Sequence, residues 1–450
     1  MKLSRVLIAG TSSGSGKTTA VSALLALLLR RSIEVFAYKC GPDYIDPMFH
    51  RAVSGVPCAN LDPFFCDEDL LRAQLCRASG ARLALIEGAM GYYDGAGKDG
   101  TAYSTFTVAK ATRSPVILTV DAGGAAASLL ATIEGFLRFV PESRIAGVLF
   151  NRATKGQYAM LKRWVNEHFG GKVIPVGYIP RLPEDCRIPQ RHLGLVTAAE
   201  ITDLAAKIEK IADICAETVD TDAILSLADL APEIDCQPPR TPRFASVRLA
   251  VARDNAFCFY YDDTLRLFSE MGAELCFFSP LSDEPLPKDC DGLLLGGGYP
   301  ELYADTLAKN LRAKESVRAA VCAGMPTIAE CGGFQYLGVE LAGKKMCGAL
   351  PHVSFDTGKL VRFGYITLTA KHGGLLGGAG TVLPAHEFHY FDSSACGDAF
   401  TAQKPSGRAW DCGILTETLY AGYPHLYLPA SLSAAECFYQ KCLRYKEDRI

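Results

Sequence analysis

A glycine-rich segment near the N-terminus constrains the fold more than any other feature of this 450-residue chain. It reads Gly10-Thr-Ser-Ser-Gly14-Ser-Gly16-Lys17-Thr18, and it lies between a strand pattern at Arg5–Ala9 and the apolar stretch Ala20–Leu29. Successive backbone N–H groups followed by a helix N-terminus form a cradle for phosphate groups. The Gly-x5-Gly-Lys-Thr spacing is one residue longer than the common phosphate loop. The segment predicts a strand–loop–helix unit that binds a nucleotide.

The first half of the chain alternates short apolar runs with helical patterns. Solid apolar strands separated by helices are typical of a parallel sheet that is covered on both faces. We therefore predict an α/β fold with a mostly parallel sheet. The candidate strands are Arg5–Ala9, Glu34–Lys39, Leu83–Glu87, Val116–Val120, Ile145–Asn151 and Val173–Tyr178.

A polar, Pro-rich segment at Asp235–Arg243 is typical of a linker, and a second α/β pattern follows it. We predict domains at 1–235 and 245–450, joined by a linker at 236–244. Strands in the second domain are predicted at Arg248–Ala252, Glu274–Phe278, Gly292–Leu295 and Pro326–Glu330, with a β-rich stretch around Arg362–Thr369 and Ala385–Tyr390.

Composition narrows the possible partners and the compartment. The net charge of −3 does not favour a polyanion such as nucleic acid. The 17 cysteines include no Cys-x-x-Cys pair, which favours free thiols in a reducing compartment. No signal peptide is evident, and Ala20–Leu29 is shorter than the roughly 20 residues that span a bilayer. We expect a cytoplasmic protein without a membrane partner.

Acidic residues follow the phosphate loop at strand ends. The loop Gly41-Pro-Asp43-Tyr-Ile-Asp46-Pro47 places two carboxylates three residues apart. They serve either as local turn caps or as groups that hold Mg²⁺ and the acceptor carboxylate near the γ-phosphate. Glu87 ends an apolar strand and is a natural metal ligand, because ligands bind at the carboxyl edge of such sheets. Asp94 lies in a glycine-flanked loop that could close over the substrate, and Asn151 either contacts adenine or forms a turn.

A cysteine defines a second site. Cys331 lies between the strand Pro326–Glu330 and a helical pattern from Phe334, followed by two glycines. This is the arrangement of a nucleophile elbow, in which a sharp turn exposes the side chain and the helix N-terminus lowers the thiol pKa. Upstream, the strand at Gly292–Leu295 ends in consecutive glycines, and the N–H groups of Gly297 and Gly298 could form an oxyanion hole.

A histidine near the C-terminus completes the candidate thiol site. His425 lies in an apolar strand pattern, where a histidine is usually a core residue. The cysteine elbow and the glycines favour His425 as the general base. The segment His386-Glu-Phe-His389-Tyr offers a competing base, and its aromatic residues favour a packed structural strand instead.

At these residues the sequence closely resembles the cobyrinic acid a,c-diamide synthase family. The matching segments, in the family's order, are GTSSGSGKTT, KCGPDYIDP, EGAMGYYDG, IPQRHLGL (Ile188–Leu195), LLLGGGYPE, AECGGFQYLG, HEFHY and the His425 strand. The resemblance implies an ATP-dependent amidoligase domain of the dethiobiotin-synthetase type, fused to a flavodoxin-like class I glutamine amidotransferase domain.

The resemblance also implies a reaction. Cys331 would form a glutamyl thioester and release ammonia, while ATP converts a substrate carboxylate into an acyl phosphate that ammonia then attacks. The family does this on the a and c acetate groups of a corrin ring. The resemblance implies that ATP is bound by Gly14, Gly16, Lys17, Thr18, Thr19 and Asn151. It implies that the metal is bound by Thr18, Asp43 and Glu87. It implies that the substrate is bound by Asp43, Tyr44, Ile45, Asp46 and Asp94. Mg²⁺ would accompany ATP. Whether the chain forms a homodimer is left open.

One departure concerns the wider amidotransferase class. That class typically carries a glutamate two residues beyond the histidine, and Tyr427 occupies this place. We therefore predict a Cys331–His425 dyad. The alternatives left open are a,c-diamidation of hydrogenobyrinic acid or of nickel sirohydrochlorin, a cobyric acid synthase, and a non-enzymatic ATPase switch that acts through protein partners. A switch would leave Cys331 without a role, and a standalone glutaminase would leave Lys17 and Thr18 without one.

Overall fold

A computed structural model describes residues 1–97, 100–186, 190–191, 194–195, 204–235, 237 and 240–449. The chain divides into two units, Met1–Pro239 and Arg240–Ile450. Part of Ile188–Leu195, and residues 236, 238 and 239 of the predicted linker, lie outside the described residues. The predicted domain limits at 1–235 and 245–450 stay a prediction.

The first unit is built on a seven-stranded, fully parallel sheet in the order β3-β2-β4-β1-β5-β6-β7. Its strands are β1 (Arg5–Gly10), β2 (Val35–Cys40), β3 (Cys58–Leu61), β4 (Leu83–Glu87), β5 (Val116–Asp121), β6 (Ile145–Asn151) and β7 (Ile174–Ile179), and a two-stranded ribbon adds β8 (Gln190–Arg191) and β9 (Gly194–Leu195). The predicted parallel sheet is confirmed, and the short edge strand β3 is an addition.

Eight helices belong to the described part of this unit. They are α1 (Lys17–Arg30), α2 (Ile45–Ser54), α3 (Glu68–Leu75), α4 (Thr105–Thr112), α5 (Ser128–Arg138), α6 (Lys155–Phe169), α7 (Leu204–Ala216) and α8 (Thr221–Asp229). Helix α1 is almost wholly apolar, so it is buried against the sheet and against α2, α7 and α8. This packing fixes the helix N-terminus at the end of β1, where the phosphate loop lies.

The second unit contains a six-stranded sheet in the order β11-β10-β12-β13-β23-β22, parallel except for the β22–β23 pair. A five-stranded antiparallel sheet has the order β21-β20-β17-β18-β24, and a four-stranded sheet the order β15-β14-β16-β19. The strands are β10 (Arg248–Ala252), β11 (Glu274–Phe278), β12 (Gly292–Leu295), β13 (Thr327–Glu330), β14 (Glu340–Leu341), β15 (Lys344–Lys345), β16 (Val353–Asp356), β17 (Arg362–Ala370), β18 (Val382–His389), β19 (Phe391–Ser393), β20 (Phe400–Gln403), β21 (Ala409–Cys412), β22 (Ile414–Leu415), β23 (Leu419–Gly422) and β24 (His425–Leu426).

Five helices complete the second unit as described: α9 (Asp262–Met271), α10 (Ala304–Lys309), α11 (Leu311–Cys322), α12 (Gly332–Leu337) and α13 (Leu432–Arg449). One core lies between the six- and five-stranded sheets and includes Phe268, Ile366 and Phe438. A second core on the other face includes Phe257, Phe334 and Tyr336. The predicted α/β class is confirmed in both units.

Most of the described cysteines follow the prediction. Cysteines such as Cys331 and Cys322 are free thiols, whereas Cys76 is disulfide-bonded. The expectation of free thiols throughout is wrong at Cys76, because sequence spacing does not determine which cysteines meet in space. Among the helices described here, none has the length and hydropathy needed to cross a bilayer.

Candidate functional site

The phosphate loop lies between the end of β1 and the first turn of α1. Gly14 and Gly16 have φ angles of 75° and 99°, a region that glycine adopts without a steric penalty. A Cβ on Gly16 would lie 2.3 Å from Nδ2 of Asn151, and this amide donates a hydrogen bond of 2.9 Å to the Ser15 carbonyl. The structure therefore brings Asn151 against the loop backbone, where it fixes the loop from the end of β6.

Lys17 is nearly buried and lies over the loop. Its Nζ donates to the carbonyls of Met90 at 2.5 Å and Ser12 at 3.1 Å. Burial, together with the charge of Lys39, lowers the pKa of Lys17 to about 8. The ammonium group is thus held by two carbonyl oxygens at the position expected of a phosphate-binding lysine, while the adjacent Thr19 continues helix α1.

Glu87 is the centre of a buried polar cluster at the end of β4. Its Oε1 accepts hydrogen bonds from Thr18 Oγ1 at 2.6 Å and from Lys39 Nζ at 2.9 Å, and its Oε2 lies 2.5 Å from His50 Nε2. Burial alone would raise the pKa of Glu87, but the charges of Lys39 and His50 lower it well below the usual range. The carboxylate is therefore charged beside the hydroxyl of Thr18.

Lys39 is fully enclosed by this cluster, and the sequence analysis missed it. It forms ion pairs with Asp46 and Glu87. Burial would lower the pKa of Lys39, but the two carboxylates raise it well above its ordinary value. Lys39 ends the predicted strand Glu34–Lys39 and is the last residue but one of β2, so the rule that pointed to Glu87 could have identified it too. His50, on α2, gave no such signal.

The remaining predicted substrate residues lie at the start of α2 and on the loop after β4. Asp43 Oδ1 accepts hydrogen bonds from the backbone N–H groups of Ile45 at 2.8 Å and Asp46 at 3.2 Å. This oxygen therefore caps the start of α2, as the turn alternative predicted. Tyr44 is mostly buried beside it. Asp94 Oδ2 accepts from the Gly91 N–H at 2.9 Å, which orders the loop after β4.

Cys331 forms a sharp turn between β13 and α12. Its φ angle is 47°, which is unusual for a residue with a side chain, and its N–H donates to the Gly422 carbonyl at 2.7 Å. The predicted elbow is present, but the side chain is only 6% exposed. Burial raises the pKa of the thiol above its ordinary value. The expected exposure and lowered pKa are wrong, because burial outweighs the N-terminus of this six-residue helix.

The glycines after β12 lie against the elbow and the histidine. A Cβ on Gly297 would lie 2.4 Å from Cε1 of His425, and a Cβ on Gly332 would lie 3.2 Å from the backbone N of Gly298. Side chains at these glycines would therefore displace their neighbours. The structure brings together the glycine loop, the turn at Cys331 and the imidazole of His425.

His425 begins β24, where it pairs with His386 of β18 in antiparallel register. Both imidazoles are buried. Burial lowers the pKa of His386 to about 3, so it is neutral near pH 7. The carboxylate of Glu330 lies close to His425, with Oε2 at 3.7 Å from Nδ1. Glu330 is not among the site residues predicted from the sequence, although it directly precedes the predicted nucleophile. Tyr427 is buried, and its hydroxyl donates to Asp263 Oδ2 at 3.2 Å.

Comparisons with known proteins agree with this division of chemistry. Residues 6–196 match the model of the CobQ/CobB/MinD/ParA nucleotide binding domain, and residues 248–431 match that of the CobB/CobQ-like glutamine amidotransferase domain. The class is therefore a nucleotide-binding domain joined to a glutamine amidotransferase domain.

Full-length relatives define the family within that class. Cobyrinate a,c-diamide synthase from Listeria monocytogenes serotype 4b (strain F2365) is 38% identical over 444 residues, which cover 96% of this chain and 97% of the relative. The protein of the same name from Priestia megaterium is 37% identical over 464 residues, with coverages of 99% and 98%. The chain belongs to the cobyrinate a,c-diamide synthase family.

Similarity to solved structures is weaker. Chloroplast FtsY from Physcomitrella patens matches with 14% identity and a TM-score of 0.31, covering 46% of this chain and 66% of its own. A score this low carries no inference about function.

Proposed function

We propose that this chain amidates the a and c acetate carboxylates of cobyrinic acid, with ATP as the activating substrate and glutamine as the nitrogen donor. The observation that carries the proposal is the similarity to cobyrinate a,c-diamide synthases along nearly the whole chain. The phosphate loop and the cysteine elbow are both intact in this chain. Small-molecule substrates are in keeping with the two matched domains.

In the second unit, Cys331 is the proposed nucleophile. His425 takes the thiol proton as Cys331 Sγ attacks the carboxamide carbon of glutamine. This proton transfer is required because burial raises the thiol pKa. The N–H groups of Gly297 and Gly298 are placed to stabilise the oxyanion. Ammonia leaves with the proton returned by His425, and water then hydrolyses the thioester to glutamate.

In the first unit, the proposed reaction is phosphoryl transfer. The loop N–H groups and Lys17 hold the phosphates, with Gly14, Gly16, Thr18 and Thr19 in the same cradle. An oxygen of the substrate carboxylate attacks the γ-phosphorus, ADP leaves, and an acyl phosphate results. Ammonia attacks the acyl carbon and displaces phosphate, which leaves an amide. Two such rounds consume two ATP and two glutamine molecules.

The remaining predicted residues contribute positions rather than steps. Asp43, Tyr44, Ile45 and Asp46, at the start of α2, and Asp94, on the loop after β4, are the proposed substrate-binding residues, and Asn151 supports the nucleotide from the end of β6. Burial raises the pKa of Asp46 to about 7, whereas Lys39 and His50 keep Glu87 charged, so Glu87 holds a fixed negative charge at the end of β4.

The oxygen donors beside the phosphate loop fit Mg²⁺. Magnesium prefers oxygen ligands and usually combines one or two carboxylates with phosphate oxygens and water. Thr18 Oγ1 and the charged Glu87 carboxylate are 2.6 Å apart, and Asp43, just ahead of α2, is the third proposed ligand. These three residues would hold the ion, and when bound it would neutralise phosphate charge.

The finer organisation is proposed on the same basis. We place an amidoligase domain at 1–235 and an amidotransferase domain at 245–450, in a cytoplasmic enzyme because its reaction consumes ATP. A homodimer, and the absence of nucleic-acid and membrane partners, belong to the same proposal.

The experiment that tests the function is mass spectrometry of tetrapyrrole acids incubated with the enzyme, ATP, Mg²⁺ and glutamine. Each amidation replaces a carboxyl hydroxyl by an amino group, so the mass change counts the modified side chains. Cobyrinic acid should receive two amides. Conversion of hydrogenobyrinic acid or nickel sirohydrochlorin in preference to cobyrinic acid would overturn the assigned substrate, and no amide on any ring would overturn the function.

A further inference from the structure

The second unit lacks a carboxylate where the wider amidotransferase class carries one. Tyr427, two residues beyond His425, points its hydroxyl at Asp263 and is fully enclosed. A histidine that serves as a general base needs a partner at its second ring nitrogen, because that partner fixes the tautomer and stabilises the imidazolium. Another residue must therefore supply this partner of His425.

Glu330 lies in a position to be this partner. Its backbone ends β13 and pairs with Gly422 of β23, three residues before His425. Its Oε1 accepts a hydrogen bond of 2.9 Å from the Leu426 N–H, and its Oε2 lies 3.7 Å from His425 Nδ1. One carboxylate oxygen thus anchors the group to the strand that carries the histidine, and the other faces the imidazole.

We propose that Glu330 is the positioning carboxylate of the thiol site, so that Cys331, His425 and Glu330 act as a triad. The proposal rests on the glutaminase step of the proposed function. It departs from the predicted dyad, and it assigns the third role to the residue that directly precedes the nucleophile.

The distance and the surroundings are consistent with this role. A separation of 3.7 Å exceeds a formed hydrogen bond, and catalytic hydrogen bonds are often long until the substrate complex forms. The side chains of His425 and Glu330 are 3% and 14% exposed, so water screens their interaction only weakly.

Two imidazoles of β18, those of His386 and His389, interact electrostatically with His425. The Cys331 thiol lies at the turn after β13. Burial lowers the pKa of His386 to about 3 and that of His389 to about 4, so both are neutral near pH 7. The Glu330 carboxylate is therefore the group proposed to stabilise the imidazolium that forms when His425 takes the thiol proton.

The substitution Glu330→Gln separates charge from structure. Its amide oxygen can still accept from the Leu426 N–H, whereas Glu330→Ala removes both the acceptor and the charge. Glu417→Gln is the matched control, because Glu417 is exposed and precedes β23 at the end opposite to Gly422. Three measurements are made on each full-length variant: glutamine hydrolysis, amidation with free ammonia, and the pH profile of glutamine hydrolysis.

For Glu330→Gln we expect kcat for glutamine hydrolysis to fall about 100-fold or more, within the range of acid–base catalysis, while KM for glutamine changes little. Ammonia-dependent amidation should match that of Glu417→Gln. The acidic limb of the profile should move to lower pH, because an imidazole without a neighbouring carboxylate holds its proton less tightly.

Two results would overturn the triad. One is a Glu330→Gln enzyme with unchanged kcat and an unchanged acidic limb. The other is an equal loss of glutamine-dependent and ammonia-dependent activity, which would mean a structural role. Failure of the proposed function would be distinct, because the unsubstituted enzyme would then release no ammonia from glutamine.

Discussion

Single side chains decide the chemistry of the thiol site. Cys331 is buried, and burial raises its pKa, so the proposed attack by the thiol requires a base. The turn at φ 47° fixes the direction of its Cβ, and the N–H bond to Gly422 holds that turn against β23. Reactivity is therefore a property of the position, and a free cysteine elsewhere in the chain does not share it.

We expect Cys331→Ala to abolish glutamine-dependent amidation and to retain amidation with free ammonia, because the acyl-phosphate chemistry needs no thiol. Amidation with each nitrogen source is measured by product mass. Cys322→Ala, which removes an exposed thiol at the end of α11, is the control and should retain both activities. Loss of the ammonia reaction in Cys331→Ala would contradict separate ammonia production.

Lys39 is the residue on which the buried acids of the first unit depend. Its ammonium group is enclosed between Asp46 and Glu87 and is 4% exposed. Two carboxylates at such a depth are tolerated only with a compensating cation, since an unpaired buried charge is strongly disfavoured.

Lys39→Met should therefore lower the free energy of unfolding of the first unit by about 3–5 kcal/mol, the usual loss when a buried pair is broken. Trp164 on α6 reports on this unit, and a Trp410→Phe background removes the signal of the second unit. Denaturant unfolding followed by fluorescence gives the value. Lys162→Met, an exposed change on α6, should alter it little. Equal stability of the two variants would mean that the ion pairs contribute nothing.

At the level of elements, the strands that end at ligand loops were the most predictable part. Leu83–Glu87, Ile145–Asn151, Arg248–Ala252 and Gly292–Leu295 match the predicted bounds because each is a mostly apolar run that ends in, or is followed directly by, a polar residue or glycine. The edge strand Cys58–Leu61 was missed because it has only four residues and no alternation to mark it.

The candidate sites were predictable only where residues are close in sequence or share a strand-end rule. Lys17, Thr18 and Cys331 follow from local spacing. The approach of Glu330 to His425 spans 95 residues and depends on the pairing of β13 with β23, which no local pattern reveals. His50 meets Glu87 through the packing of α2, and the burial of Cys331 depends on the whole unit. Tertiary contacts of this kind lie beyond a reading of periodicity.

Strand β18 combines groups whose protonation affects stability in opposite directions. Burial lowers the pKa of His386 to about 3 and of His389 to about 4, and burial raises the pKa of Glu387 to about 7. As the pH falls below 6.5, the unfolded chain protonates its histidines while the folded strand does not, so stability is lost. Between pH 7 and 4.5, the folded state binds a proton at Glu387 that the unfolded chain does not, so stability is gained.

Glu387→Gln should remove the stability that the folded protein gains by protonating Glu387. It should leave the loss of stability caused by His386 and His389 unchanged. Between pH 6.5 and 5 the variant should lose stability more steeply than the unsubstituted protein, by about 1.4 kcal/mol per pH unit for one proton. Trp410 on β21 reports on the second unit in a Trp164→Phe background, with denaturant unfolding measured at several pH values. Parallel pH dependences of the two proteins would show that Glu387 does not take up a proton on folding.

Over the whole molecule, the two chemistries are built from separate sets of residues. The nucleotide site draws on residues of Met1–Pro239, and the thiol site draws on residues of Arg240–Ile450. Each site has its own nucleophile, its own charge-stabilising groups and its own substrate. Because the two sets of residues are separate, a substitution in one site can stop ammonia release or carboxylate activation while the other continues. The activity that each substitution removes identifies the step that the site performs.

Lys17→Ala should stop amidation from glutamine and from free ammonia alike, by about 100-fold or more, because the charge that stabilises the transferred phosphoryl group is removed. Glutamine hydrolysis should persist, since the thiol site contains no part of the phosphate loop. Glutamate release and amide formation are measured in the same reaction, with Lys2→Ala, an exposed substitution ahead of β1, as the control. Near-normal amide formation in Lys17→Ala would contradict activation by ATP at this loop. If hydrolysis were lost together with amidation, glutaminase chemistry would depend on nucleotide binding, and the two sites would be coupled through the chain rather than only through ammonia.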